Sequence, residues 1–385
     1  MPQHLDIAGE SFPSPLGADT LLELARRFGS PLFVIDCEAI RRQYRALARA
    51  LPGVEIHYAL KPLPEAAVVA ALAAEGSCFD LATTGEVELV RQAGIPAERC
   101  IHTHPIKRDE DIRAALDFGV TTFVADNPDE VRKFAAYAGK VSLLLRVSFR
   151  SPAAVVDLSR KFGCDPESAP ALVELARSLG IAVAGLSFHV GSQSASPQTK
   201  LRAIEACTAI IRSTQGKGMA APATLDIGGG FPIDYLEPAL PIDEFCAPIR
   251  AALAGLPDAT RVIAEPGRFI CGPAGTVVTT VMGRAWREGR WWYYLDDGLY
   301  GSFSGQIYDH ARYPIEVLTP AQGPRIHSVL AGPTCDSIDV IAEDIELPEL
   351  HAGDRLAGRQ MGAYTAASAT DFNFFPRARI VLVNR

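Results

Sequence analysis

The chain has 385 residues, and its 37 lysines and arginines against 45 aspartates and glutamates give a formal net charge of −8. Hydrophobic residues make up 48% and charged residues 21%, which excludes a disordered chain, and the acidic balance excludes a surface built for nucleic acid. No apolar run reaches the roughly 18 residues that span a bilayer, and the start, MPQHLDIAGESFPSPLG, lacks the basic-then-apolar pattern of a secretory leader. Eight scattered cysteines without a CxxC read as reduced thiols, so a cytoplasmic protein with no membrane partner is expected.

In chain order, PLFVID (31–36) precedes a regular alternation of short β-rich runs with helical segments. The runs are VEIHYAL (54–60), CFDLAT (78–83), CIHTH (100–104), TTFVAD (121–126), VSLLLRV (141–147), AVAGLSFHV (182–190), ATLDIG (223–228) and RVIAE (261–265). Between the first two, Ala67, Val68, Ala71 and Leu72 recur at helical spacing. Several such segments end at a glycine, as a helix C-terminus does. Eight βα units predict a (β/α)8 barrel. Beyond about residue 268, GTVVTTVMGRAW, RWWYYLDDG, RIHSVLAG and ARIVLVN alternate apolar and polar residues and predict an antiparallel β domain. The expected division is a barrel over 31–268 and a discontinuous β domain over 1–30 and 269–385.

Chemistry in such a barrel collects at the carboxyl ends of the strands. Those ends carry Lys61 (HYALK), Asp80, His189 and Ser192 (SFHVGS), Gly228, Gly229 and Gly230 (GGGFP), and Glu265, Gly267 and Arg268 (AEPGR). A lysine after an apolar strand suits Schiff-base chemistry if it is desolvated; otherwise it is a solvated surface lysine. The triple glycine is either a tight turn or a cradle letting backbone N–H groups approach a phosphate, which barrels bind after strands seven and eight. Standing alone, His189 reads as a core histidine and Glu265 as an ion-pair partner. His102 and His104 form an HxH on strand three, whose side chains would share a face. No further ligand supports a metal there, and none is expected. In the β domain, GPTCDSID sets Cys335 and Asp336 in a polar turn, LDDGLYGSF sets Asp297 before Gly298, and QMGAYTAAS sets Tyr364 after Gly362.

The segments YALK, SRKFG, SFHVGSQ, DIGGGFP, AEPGR, DDGLYGSF, GPTCDSID and GAYT occur in this order over most of the chain. Together they resemble the pyridoxal-phosphate-dependent decarboxylases of the alanine-racemase-like barrel fold. DGLYGSFSGQIYDH and Cys335–Asp336 are most similar to the ornithine decarboxylase branch. The resemblance implies that Lys61 carries the cofactor and His189 stacks on its ring. Ser192, Gly228–Gly230, Gly267, Arg268 and Tyr364 would hold the phosphate. Glu265 would keep the ring nitrogen protonated, with Asp80 in the surrounding polar network. Cys335 would return a proton to Cα, while Asp297 and Asp336 would bind the distal ammonium of L-ornithine. The assignment of 1–30 to the β domain also rests on the resemblance. So does a homodimer with shared sites, in which Cys335 and Asp336 come from the second copy and Lys161 pairs with Asp339 across the interface. Pro62–Leu63 departs from the family pattern, which usually has a small residue and then asparagine. This leaves lysine, both diamino acids or a modified amino acid as alternative substrates. A catalytically silent homologue is disfavoured by the presence of both Lys61 and Cys335.

Overall fold

The computed structural model describes residues 4–7, 9–149, 154–156, 160–321 and 323–385. The chain divides into two compact units.

One unit comprises Gln43–Pro232 and Ala239–Phe269. The eight β-rich runs form its strands Glu55–Ala59, Cys78–Leu81, Cys100–His102, Thr122–Ala125, Ser142–Val147, Ala182–Phe188, Met219–Asp226 and Arg261–Ala264, closed into a barrel. Neighbours run parallel, and Ile263 opposite Glu55 with Ala264 opposite Ile56 closes the ring. Ile101, Val124, Leu144 and Ile263, from four strands, pack as one cluster. Tyr58, Phe79 and Phe123 are fully buried and contribute about 1.5–3 kcal/mol each by leaving water. Strands six and seven touch at Gly185, where a Cβ would lie 1.8 Å from the Thr224 carbonyl oxygen. Helix Gln198–Thr214 follows strand six and buries Ala203, Ile204, Cys207 and Ile211 on its apolar face, together with Lys200.

The other unit comprises Met1–Arg42, Ile233–Pro238 and Ile270–Arg385. Its sheet runs His4–Asp6, Arg379–Val383, Leu32–Asp36, Gly275–Arg287, Arg290–Leu295, Ile326–Ala331, Val340–Leu347, with Arg355–Gly358 also on Gly275–Arg287 and Ile315–Val317 beside it. Helix Ala18–Phe28 turns Leu21, Leu24 and Ala25 onto Leu32, Val34, Val278 and Val381. Two expectations change. The division falls at 42/43 rather than 30/31, because Leu32–Asp36 is buried throughout and hydrogen-bonded on both edges, to Gly275–Arg287 and Arg379–Val383. The sheet is mixed rather than purely antiparallel. Arg379–Val383 runs parallel to both His4–Asp6 and Leu32–Asp36, and Arg290–Leu295 runs parallel to Ile326–Ala331. Parallel neighbours need long connections, and the chain between Leu32–Asp36 and Arg379–Val383 is long.

Candidate active site

The barrel mouth gathers acids, an imidazole and glycines. Asp80, on strand two, accepts from the Thr103 hydroxyl. Burial first, then the Glu265 charge, holds its carboxyl well above the usual carboxylate range. Glu265 follows strand eight and hydrogen-bonds Asp226, the last residue of strand seven. Two carboxyls can meet only by sharing a proton, and burial raises both pKa values further. Among the described residues no N–H or O–H reaches Glu265 Oε1 or Asp226 Oδ2, whereas Asp226 Oδ1 accepts from Gly228 N at 2.8 Å. Arg146 on strand five offsets part of this negative charge.

His189 directly follows strand six. Burial, then Arg146 and Lys61, pushes its pKa well below the ordinary value, so the imidazole is neutral. Its Nδ1 accepts from Gly191 N at 3.0 Å. A Cβ on Gly229 would lie 3.2 Å from His189 Nε2 and 2.6 Å from the Glu265 carbonyl oxygen. Cβ atoms on Gly228 and Gly230, both at positive φ, would lie 2.3 Å from the Phe188 and Gly191 carbonyl oxygens. The run must therefore be glycine. Ser192, half-buried, opens the short strand Ser192–Ser194. Gly267 would drive a Cβ to 2.7 Å from Pro62 Cγ, and Arg268 is buried.

Lys61 follows strand one and is exposed, so the desolvation expected of it is not seen in the isolated chain. It acts electrostatically on Asp80, Glu86, His189 and Glu265. Leu63, expected to reshape the pocket, is a core residue only 1% exposed. Its carbonyl accepts from Tyr58 Oη at 3.1 Å. Strand three ends at His102, which is wholly buried against Phe123, while His104 Nδ1 accepts from Ile106 N at 3.1 Å.

In the other unit, Cys335 is exposed, and its N–H donates to Asn373 Oδ1 at 3.2 Å. Asp336 accepts from Tyr300 Oη at 2.6 Å and from Ile338 N at 3.1 Å, and the tyrosine bond lowers its pKa. Asp297 has different surroundings. It is buried, Oδ1 accepts from Gly298 N at 2.8 Å and Ser302 N at 2.9 Å, and burial pushes its pKa up to about 6. Asp297 Oδ1 is thus taken by a turn while its Oδ2 is buried without a partner, and both oxygens of Asp336 accept hydrogen bonds. Asp339 likewise accepts from Leu299 N at 2.7 Å and from Thr334 N and Oγ1 at 3.0 and 2.7 Å. Lys161 is exposed with Nζ 5.0 Å from the Phe162 ring centre. Tyr364 is half-buried at φ 56°, and its carbonyl accepts from Ser368 Oγ at 2.9 Å.

The barrel residues fit pyridoxal phosphate. An acid pair with a retained proton suits a ring nitrogen, a neutral imidazole suits the ring face, and the glycine cradle suits the phosphate. Sequence reasoning missed Asp226, Arg146 and Lys200. Asp226 stands directly before the glycine run, and Arg146 interrupts the apolar strand VSLLLRV; both were available signals.

The family model described as "Pyridoxal-dependent decarboxylase, pyridoxal binding domain" matches residues 37–272. The chain is 36% identical over 361 residues to the lysine/ornithine decarboxylase of Selenomonas ruminantium, covering 93% of this chain and 91% of the relative. It is 35% identical over 370 residues to the ornithine decarboxylase of Mus musculus, covering 91% of this chain and 80% of the relative. Its fold is similar to the lysine/ornithine decarboxylase of Vibrio vulnificus complexed with putrescine, with TM-score 0.91, 54% identity and coverage of 97% and 99% of the two chains. The cadaverine complex of that protein superposes with TM-score 0.92, covering 97% of this chain and 100% of the other at the same 54% identity.

Proposed function

Because the chain belongs to the pyridoxal-dependent decarboxylases, we propose that it removes the α-carboxylate of L-ornithine to give putrescine. The observation that carries the choice of a diamino acid is Asp336, kept ionised by Tyr300 beside the exposed thiol of Cys335. A fixed negative charge pairs with a distal ammonium and rejects a distal carboxylate. L-Lysine is the second reading, supported by the 54% identity to a protein solved with both putrescine and cadaverine. One methylene changes discrimination by only about 1–3 kcal/mol.

Bound pyridoxal phosphate supplies an electron sink for the pair left when carbon dioxide departs. The residues do the rest. Lys61 would hold the cofactor through its ε-amine. Glu265, backed by Asp226, keeps a proton at the ring nitrogen. His189, uncharged, covers the ring face without competing for that proton. Ser192, the glycine run, Gly267, Arg268 and Tyr364 hold the phosphate, and Asp80 completes the polar wall. The Cys335 thiol delivers a proton to Cα.

Cys335 and Asp336 come from a second copy in this reading. Around them Ile338, Phe372 and Phe374 stand 55%, 43% and 98% exposed, an apolar fringe that a homodimer would cover. Mixing Lys61→Ala with Cys335→Ala chains should restore about one quarter of wild-type activity, since half of randomly assorted dimers hold one intact site in two. No recovery would remove the sharing. Eight free cysteines support a reading of the protein as cytoplasmic, where thiols stay reduced. No helix among the described residues is long and apolar enough to cross a membrane.

The test is carbon dioxide release from L-ornithine, L-lysine, L-arginine and meso-diaminopimelate with pyridoxal phosphate supplied. Release from ornithine, alone or with lysine, supports the reading. Release only from diaminopimelate, or from none, overturns it.

A further inference from the structure

The glycine run allows a complete account of its backbone polar groups. Gly228 N donates to Asp226 Oδ1 at 2.8 Å. The Gly228 carbonyl accepts from Glu265 N at 3.0 Å, and the Gly230 carbonyl from Ser194 N at 3.1 Å. The two remaining carbonyls, of Ile227 and Gly229, both accept from one side chain, Lys200 Nζ, at 2.6 and 3.0 Å. The N–H groups of Gly229 and Gly230 are left, and among the described residues no protein atom accepts from either.

Across a trans peptide the carbonyl and the following N–H point opposite ways. Gly228 O directed at Glu265 N therefore turns the Gly229 N–H to the other side. Gly229 O directed at Lys200 turns the Gly230 N–H away from Lys200. Two unsatisfied N–H groups on consecutive residues, the second at φ 90°, form an anion-binding concavity.

Lys200 is 1% exposed. Among the described residues it has no carboxylate within ion-pair distance. Its ammonium lies 4.8 Å from the Phe231 ring centre and 5.6 Å from that of Phe188. A buried cation held by carbonyls and aromatic faces, with Asp226 and Glu265 acting on it only through space, carries a large desolvation cost. A nearby anion would offset it.

We propose that Lys200 is a positioning residue for the cofactor phosphate, fixing the carbonyls of Ile227 and Gly229 so that the Gly229 and Gly230 N–H groups face the phosphate, and adding a buried positive charge behind them. This rests on the reading that the barrel binds pyridoxal phosphate. Lys200 touches neither the ring nor the reacting carbon and acts through the backbone.

The test compares two ligands on the full-length apoprotein: pyridoxal phosphate, and pyridoxal, which lacks the phosphate. Dissociation constants are read from the absorbance and fluorescence of each ligand bound to wild type, Lys200→Met and Lys200→Arg. In wild type the phosphate gives a large preference for pyridoxal phosphate. Lys200→Met should cut that preference by roughly tenfold or more, leaving pyridoxal affinity nearly unchanged. Lys200→Arg should restore most of it. Equal weakening of both ligands, or no change in either, would overturn the role of Lys200. Failure of wild type to bind pyridoxal phosphate would instead overturn the cofactor reading. Should Lys200→Met not fold, wild-type protein labelled with 15N-glycine decides. The Gly229 and Gly230 amide resonances should move with pyridoxal phosphate or inorganic phosphate and stay in place with pyridoxal. Equal movement with all three contradicts the proposal.

Discussion

The two ends of the barrel hold the same kinds of side chain in opposite states. At the amino ends of the strands, Glu55, His57 and Cys78 bring potential metal-ligand atoms within 4.8 Å of one another. Both Glu55 oxygens are nonetheless occupied. Oε1 accepts from His57 Nε2 at 2.7 Å and from Arg261 Nη2 at 2.5 Å, and Oε2 accepts from Arg261 Nε at 3.2 Å. These bonds hold the Glu55 carboxyl far below the usual range, while burial and the Glu55 charge push the Cys78 thiol up to about 12. At the carboxyl ends, Glu265 and Asp226 face each other, lack a protein donor on one oxygen each, and resist ionisation. The lesson is that residue type does not separate a structural cluster from a catalytic one. At the amino end both oxygens of the carboxylate are filled, although His57 Nδ1 is buried without a partner, whereas at the carboxyl end two buried carboxyls each keep an oxygen open to another donor.

Substitutions at the two ends should separate accordingly. Lys61→Ala should cost about four orders of magnitude in kcat and abolish the borohydride-fixed cofactor, read by decarboxylation rate and peptide mass. Glu265→Gln should retain cofactor binding and lower kcat on the order of 10²–10³-fold, measured in steady state with saturating pyridoxal phosphate. At the other end, Glu55→Gln should leave kcat unchanged. It should cost about 1–3 kcal/mol of stability, a few degrees in Tm by calorimetry. A fall in kcat with unaltered Tm would make the amino-end cluster functional and erase the contrast.

The smallest effect is a slope with pH. A carboxyl harder to ionise in the folded chain than in the unfolded one opposes folding above its raised pKa. The Glu265–Asp226 pair therefore makes the apoprotein more stable as pH falls through its raised pKa values, that of Asp226 at about 6, toward the unfolded carboxyl value of about 4. Glu55 and Asp111, whose pKa values are depressed, contribute stability above their unfolded pKa and lose it at lower pH, reversing the trend below about 4. Apoprotein Tm measured across this range should pass through a maximum. Glu265→Gln should flatten its neutral-pH limb.

Much of this contrast was legible beforehand. Parallel strands buried on both faces read as short apolar runs, so all eight barrel strands stand out, and their ends single out Lys61, His189, Gly228–Gly230 and Glu265. Lys200 was hidden because QTKLRAIE resembles the wet face of any helix. Only the packing of Gln198–Thr214 carries its ammonium to the Ile227 and Gly229 carbonyls. The surroundings of Asp297 were hidden for a related reason. Asp297–Gly298 reads as a turn and the substrate role rests on the resemblance, but that only one carboxylate oxygen is taken by the Gly298 and Ser302 N–H groups depends on the turn that follows. Strand direction in the second sheet was likewise out of reach, since pairing Leu32–Asp36 with Arg379–Val383 joins segments from opposite ends of the chain.

The central claim is that the Glu265–Asp226 pair holds a proton at the cofactor's ring nitrogen. The most direct measurement is the 15N chemical shift of the ring in holoprotein loaded with pyridoxal phosphate labelled at that nitrogen, followed from about pH 6 to about pH 9. The account predicts a protonated shift throughout this range in wild type and a neutral one in Glu265→Gln. A neutral ring nitrogen in the wild-type protein at neutral pH would contradict it.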